Sequence, residues 1–296
     1  MSPTASKRRL IRPLAVALAL LSLAAGCTSA LPKTVSGAPV LSVVTGLWPL
    51  ANLVQDIGGD KVAVDDPIPP GIDPLTYRPS APVLRIVRSA GLVIDAGGGL
   101  QPGFEQAARG AQQSLSVATQ LGAASPYVWL DPTMMEKAVT AVTDAMAAAD
   151  PQAGPLFRRN AGGVGAALES LKIDYSTTLS SCPGDTMVTP DRAFTDMASE
   201  FGLTQLVVGP RPSPAVVSAT TGRIQAGSSV ALVSEPWVDN NGIRAVAAAS
   251  STKITALDTL AGTPTRPPSG HDPYTQLMEQ NLGHLSAALG CNNNEQ

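Results

Sequence analysis

The chain has 296 residues, of which 44% are hydrophobic and 15% are charged, a composition that is ordinary for a folded globular protein. Its length suits one large domain or two of medium size. The formal net charge is −3 and no basic run lies beyond the first 26 residues, so the composition argues against a nucleic-acid partner.

The first 26 residues have the pattern of a signal peptide. A basic segment, Lys7 to Arg12, precedes an apolar stretch at 14–25, which is shorter than the ~20 residues that span a bilayer. Small residues then lead to Cys27, and this pattern resembles a bacterial lipobox. We therefore predict an exported lipoprotein with acyl chains such as palmitate on Cys27, a tether at 27–39, and attachment to the outer face of the cell membrane. An ordinary secretory cleavage site beside an accidental cysteine is the alternative.

Strand-like and helix-like segments alternate along the rest of the chain, and this alternation favours an α/β fold. In the first half, the predicted strands are 40–45, 61–65, 92–95 and 115–118. The predicted helices there are 47–57, 79–90, 133–149 and 151–178. In the second half, the predicted strands are 185–189, 205–208, 230–233 and 253–256. The predicted helices there are 191–201, 214–225, 242–249 and 273–289.

Two local signals concern the long helices. Asp131 is a good N-cap and Pro132 a good first residue for the helix that follows. Gly162, Gly163 and Gly165 weaken the helix predicted at 151–178 by roughly 1 kcal/mol each relative to alanine. That helix is therefore expected to depend on packing against its neighbours.

Cys182 and Cys291 form the only possible pair if Cys27 carries lipid. Because exported compartments are oxidising, we predict a disulfide between them. Two buried free thiols are the alternative. A zinc site is disfavoured, since two isolated cysteines lack close-spaced partners.

Several motifs together resemble those of the ABC-transporter solute-binding proteins that carry zinc or manganese, known as cluster A-I. The main ones are PPGIDPLTYRPS at 69–80, VWLDP at 128–132, and the pair Glu235 and Pro236. The resemblance implies an N-terminal α/β lobe at 40–150, one long rigid helix at 151–180, and a C-terminal α/β lobe at 181–291. It also implies a ligand cleft between the lobes, a membrane permease as partner, and a monomeric receptor.

The resemblance also indicates where metal ligands belong. The histidines of the family fall on Leu75, Tyr127 and Asp191, and its carboxylate falls on Asp258. The chain has only two histidines, His271 and His284, and neither lies at a matching position. For both we expect a surface or core-edge role.

The remaining donors are oxygen atoms. Our candidate metal ligands are Asp191, Asp258, Tyr127 and Glu235, whereas Leu75 is a cleft position that lacks a donor. Carboxylates and a phenol suit manganese, or ferric iron if the phenol ionises, better than zinc, which prefers nitrogen or thiolate donors in tetrahedral geometry. We therefore expect a divalent cation such as manganese, zinc or iron at an atypical site, with no bound metal as the alternative.

Arg78 is unusual because the family has a non-basic residue at this place. We hypothesise that it is a cleft cation that pairs with Asp191 or Asp258 and substitutes for a metal. The alternative is that Arg78 faces solvent at the start of a helix.

The sequence thus predicts a solute-binding protein, and a non-metal receptor or surface adhesion or scaffold module on the same fold is the alternative. We predict no enzyme, because the chain has no Gly-x-Ser-x-Gly motif and no spacing that singles out an acid/base pair.

Overall fold

The computed structural model describes residues 40–226, 229–264, 268 and 272–291. The strands are Leu41–Thr45 (β1), Val62–Asp65 (β2), Leu92–Asp95 (β3), Ser114–Ser116 (β4), Thr186–Thr189 (β5), Thr204–Val207 (β6), Val230–Ser234 (β7) and Ile254–Ala256 (β8). The helices are Trp48–Gly58 (α1), Ala81–Ser89 (α2), Pro102–Ala108 (α3), Val117–Leu121 (α4), Pro132–Ala149 (α5), Gly154–Ser180 (α6), Thr195–Glu200 (α7), Pro214–Ala226 (α8), Asn241–Ser250 (α9) and Pro273–Leu289 (α10). Short 3-10 turns lie at Gly59–Lys61 and Val128–Leu130.

The strands form two parallel sheets of four strands, each at the centre of one α/β lobe. The order is β2-β1-β3-β4 in the first sheet and β6-β5-β7-β8 in the second. In the first sheet Val43 pairs with Leu92, and in the second Met187 pairs with Ala231. The inner strands are apolar and buried, as expected for parallel sheets that helices cover on both faces. The predicted two-lobed α/β fold is confirmed.

The helix α6 is the long connection between the two lobes that the sequence predicts. It packs against α5, α1 and α10, with Phe157, Leu171 and Tyr175 buried along its length. The predicted cap of α5 is also present, since the side chain of Asp131 accepts a hydrogen bond from the Thr133 amide at 2.9 Å. Cys182 and Cys291 form the predicted disulfide, which joins the chain two residues beyond α6 to the chain two residues beyond α10.

Some predicted elements differ from those observed. The strand predicted at 115–118 is β4, which is shorter and shifted, and the chain turns directly into α4. The helix α3 was not predicted, because nearby glycines obscure the apolar pattern of this short segment. The helix predicted at 191–201 begins only at Thr195, and Asp191 lies in the loop before it.

The two lobes meet at a buried segment around Trp129. Its indole Nε1 donates a hydrogen bond of 2.7 Å to the carbonyl oxygen of Thr259, and its own carbonyl accepts one from the hydroxyl of Tyr274. One apolar core runs through this segment from the first sheet to the second. In the described residues, no helix is both long and apolar enough to cross a membrane.

Candidate functional site

Three of the candidate ligands follow strands of the second sheet. Asp191 comes after β5, Glu235 after β7 and Asp258 after β8, so all three leave the carboxyl edge of that sheet. Neighbours β5 and β7 form the point where the strand order reverses, and ligands of open parallel sheets bind outside the strand ends at such a point. Asp191 and Glu235 therefore occupy the position where this fold most readily places a ligand.

A tight turn fixes Asp191. Its Oδ1 accepts a hydrogen bond of 2.8 Å from the amide of Ala193, and its carbonyl oxygen accepts bonds from Thr189 Oγ1 at 2.6 Å and Gln205 Nε2 at 3.1 Å. This turn explains why α7 begins late. The side chain is half-buried, and Oδ1 still has a free lone pair after the bond to Ala193.

Glu235 is a buried acid whose carboxyl group lacks a hydrogen-bond partner among the described residues. Its side chain is only 4% exposed, and neither carboxyl oxygen has a hydrogen-bond donor in the described part of the chain. Asn240 fixes its backbone, donating to the carbonyl oxygen at 2.7 Å and accepting from the amide at 3.0 Å. Burial, and then the neighbouring Asp191 carboxylate, raise the pKa of Glu235 to about 9. Because its pKa lies above 7, the Glu235 carboxyl group is protonated at neutral pH.

Tyr127 faces these carboxylates from the first lobe. It is 7% exposed, and its ring centroid lies 5.4 Å from that of Trp129. Burial, followed by the charges of Asp191, Glu235 and Asp73, raises the pKa of its phenol far above the ordinary value. Without a bound metal, the phenol is therefore neutral at physiological pH.

Leu75 is an apolar residue of the first lobe, and it lies in a loop that several hydrogen bonds hold in place. It is half-buried against the main core, and its amide donates a hydrogen bond of 2.9 Å to Asp73 Oδ1. Gln101, which is fully buried, donates from Nε2 to the carbonyl oxygens of Pro74 at 2.9 Å and Gly46 at 2.8 Å. The loop is thus fixed by buried bonds although Leu75 offers no donor to a ligand.

The predicted charge pair of Arg78 does not form. Arg78 is exposed, and within the described residues no salt bridge of 4.0 Å or less joins it to Asp191 or Asp258. The backbone around it packs closely on α3, since a Cβ added at Gly103 would lie 3.1 Å from the Tyr77 carbonyl oxygen. The side chain of Arg78 is left facing solvent.

Asp258 is exposed and is fixed separately from the other candidates. Its Oδ1 accepts a hydrogen bond of 2.8 Å from the Leu260 amide, and the side chain of Asn281 bonds both its backbone amide and its carbonyl. Over the described ranges, no three or more His, Cys, Asp or Glu side chains are grouped so that they could hold a metal ion. The structure therefore brings Tyr127, Asp191 and Glu235 together, but not Asp258 with them.

Of the other predicted residues, His284 is exposed on α10, and its Nδ1 lies 3.1 Å from the Ala256 carbonyl oxygen at the edge of the second sheet. His271 and Cys27 lie outside the described residues. Sequence reasoning missed Asp73, whose charge acts on Tyr127. The signal was available, because Asp73 lies two residues before the position of the first family histidine.

The model of the family described as zinc-uptake complex component A, periplasmic (ZnuA), matches residues 43–288, which is most of the chain. This chain belongs to the ZnuA family. Its members are solute-binding receptors of metal ABC importers, and the resemblance found in the sequence is thus confirmed.

Individual relatives of this ZnuA-family chain are distant. The high-affinity zinc uptake system protein ZnuA of Bacillus subtilis (strain 168) is 23% identical over 300 residues, which cover 91% of this chain and 94% of that protein. A Treponema pallidum (strain Nichols) protein named for metal binding is 24% identical over 209 residues, and the match spans 66% of its length. The crystal structure of the metal-dependent lipoprotein YcdH from Bacillus subtilis superposes with a TM-score of 0.72 at 23% identity, covering 84% of this chain and 99% of that one. At this identity, the structural likeness supports the fold alone.

Proposed function

We propose that the chain is the lipid-anchored receptor of an ABC importer, attached through Cys27 to the outer face of the cell membrane. In this proposal, residues 1–26 are removed and 27–39 form the tether. The lobes at 40–150 and 181–291 then present a cation to a membrane permease, with the helix at 151–180 between them. We propose that the receptor works as a monomer.

The cation is proposed to bind at an atypical site built from oxygen donors. Asp191 and Glu235 supply carboxylates from the second lobe and Tyr127 a neutral hydroxyl from the first, whereas Asp258 lies at the same sheet edge but apart from this group. Hard divalent ions such as manganese suit oxygen donors, whereas zinc and other softer ions lose their preferred imidazoles here.

The state of Glu235 is the observation that supports this proposal most strongly. A buried carboxyl group that lacks every hydrogen-bond donor is costly, and a structure normally provides a donor or a bound ion to offset that cost. A cation between Asp191 and Glu235 would displace the proton on Glu235 and satisfy its carboxyl oxygens. The bound ion would be cargo, which the receptor would pass to the permease.

A second candidate function is a receptor or surface scaffold that binds no metal. The absence of a metal-holding group of three among the described residues favours it, as does the apolar Leu75 at a ligand position. In this case, the protein keeps the receptor fold, and the buried pair Asp191 and Glu235 binds no metal.

Elemental analysis and calorimetric titration of residues 28–296 with manganese, zinc and iron(II) distinguish the two. Stoichiometric binding that Glu235→Gln and Asp191→Asn weaken at least tenfold, and that Glu279→Gln leaves intact, supports the cation receptor. Glu279 is an exposed acid on α10 and serves as the matched control. Absence of stoichiometric binding of all three ions would reject the cation receptor in favour of the second candidate.

A further inference from the structure

Ser125 is buried where the two lobes meet, two residues before Tyr127. It is 3% exposed, and its amide donates a hydrogen bond of 3.0 Å to Asp196 Oδ2. Its hydroxyl donates to the carbonyl oxygen of Ala193 at 3.4 Å and accepts from the amide of Tyr127 at 3.2 Å. Both Asp196 and Ala193 belong to the second lobe, so this one residue is bonded to both lobes.

These bonds continue to the carboxylate of Asp191. The amide of Ala193 donates to Asp191 Oδ1 at 2.8 Å, which completes a path from Tyr127 through Ser125 and Ala193 to Asp191. We call this path the Ser125 bridge. Other hydrogen bonds between the lobes, such as that from Thr133 Oγ1 to Glu200 Oε1 at 2.9 Å, end on residues outside the candidate site.

We propose that Ser125 is a positioning residue that sets the place of Tyr127 relative to Asp191 across the two lobes. A hydroxyl group suits this place because it donates and accepts at the same time. Alanine would leave the Tyr127 amide and the Ala193 carbonyl without this partner in a buried setting. The effect of the bridge on cation affinity rests on the proposed function, whereas the mechanical coupling between the lobes does not.

Hydrogen exchange at the Tyr127 amide tests the coupling directly. In Ser125→Ala the exchange rate of that amide should rise about tenfold, the value expected for the loss of one typical hydrogen bond. Ser286→Ala is the matched control, because Ser286 is 2% exposed and, within the described residues, its hydroxyl bonds only to the Gly283 carbonyl inside α10. An unchanged Tyr127 amide in Ser125→Ala would overturn the proposal.

A double variant tests whether the path reaches Asp191. Asp191→Ala should speed exchange at the Tyr127 amide in the wild-type background, because it loosens Ala193. In the Ser125→Ala background the same change should have no further effect. Equal effects of Asp191→Ala in both backgrounds would mean that Ser125 carries no coupling and would overturn the path.

Manganese titration of the same variants tests positioning. Affinity should fall about tenfold in Ser125→Ala and stay within twofold of wild type in Ser286→Ala. Faster amide exchange with unchanged affinity would overturn the positioning role. If the wild type does not bind manganese, the proposed function fails at that point, and the two exchange experiments still decide the bridge.

Discussion

The two lobes have equivalent sheets but contribute different chemistry to the candidate site. The second lobe contributes Asp191 and Glu235 from the strand ends beside its reversal point. The first lobe contributes the neutral phenol of Tyr127, and Leu75, where the sequence predicts a position without a donor, packs against the main core. In the proposed site, the second lobe would supply most of the ligands to the cation, and the first lobe would mainly cover the ion and exclude water.

The strongest test of this difference is the pH dependence of stability that Glu235 confers. Its pKa rises from an ordinary 4.5 to about 9 on folding, so the folded state binds more protons than the unfolded state between these values. The stabilisation is complete below pH 4.5 and is lost as the pH rises towards 9. At about 1.4 kcal/mol per unit, the loss across this window is at most on the order of 6 kcal/mol.

Chemical denaturation in the presence of a chelator, repeated from pH 5 to pH 9, measures this effect. Glu235→Gln should flatten the decline in the free energy of unfolding, whereas the exposed-site variant Glu279→Gln should retain it. A wild-type free energy that is constant over this range would contradict the buried, protonated state of Glu235.

The lobes also differ in covalent closure, because the disulfide lies at the end of the second lobe. Its cysteines are 109 residues apart, so the double variant Cys182→Ser, Cys291→Ser should lose up to about 4–5 kcal/mol of stability in the chain-entropy model. Amide protection should fall more in α10 than in β1. Equal loss of protection in α10 and β1 would indicate that the disulfide stabilises both lobes alike.

How far the sequence predicts the molecule also differs between fold and site. Strand–helix alternation located the eight strands of the described residues approximately. The buried strands, such as β3, are short apolar runs that the local sequence pattern reveals. The site was less predictable. Asp191 was placed inside a helix, although its carboxylate accepts a bond from Ala193 in a turn, and the pairing expected for Arg78 depends on a tertiary approach that does not occur.

Glu235 illustrates the remaining difficulty. The sequence placed it after a strand, but its burial and its lack of donors arise from the packing of several elements that are distant in sequence. The sequence places Asp73 beside a predicted ligand position, but its effect on the pKa of Tyr127 depends on the folded loop. Local pattern therefore predicts elements, whereas protonation and ligand geometry depend on tertiary contacts.

Leu75→His would make the first lobe more like the second by adding a ligand. If position 75 borders the cation, an imidazole there should raise zinc affinity at least tenfold, because zinc favours nitrogen donors. Leu75→Phe is the control that adds bulk without a donor. Calorimetric titration with zinc measures both variants, and no gain in Leu75→His would show that this position does not reach the site.

The smallest expected effect concerns α6, which belongs to neither lobe alone. A Cβ at Gly163 would meet no atom within 4 Å, so Gly163→Ala should stabilise the helix by about 1 kcal/mol and raise Tm by a few degrees. Gly202→Ala is a matched contrast: the space there is also open, but φ is +70° and alanine should destabilise.

Because α6 carries none of the candidate ligands, Gly163→Ala should leave cation affinity unchanged. A change in affinity would mean that the stiffness of the linking helix, and not only the chemistry of each lobe, sets the geometry of the cleft.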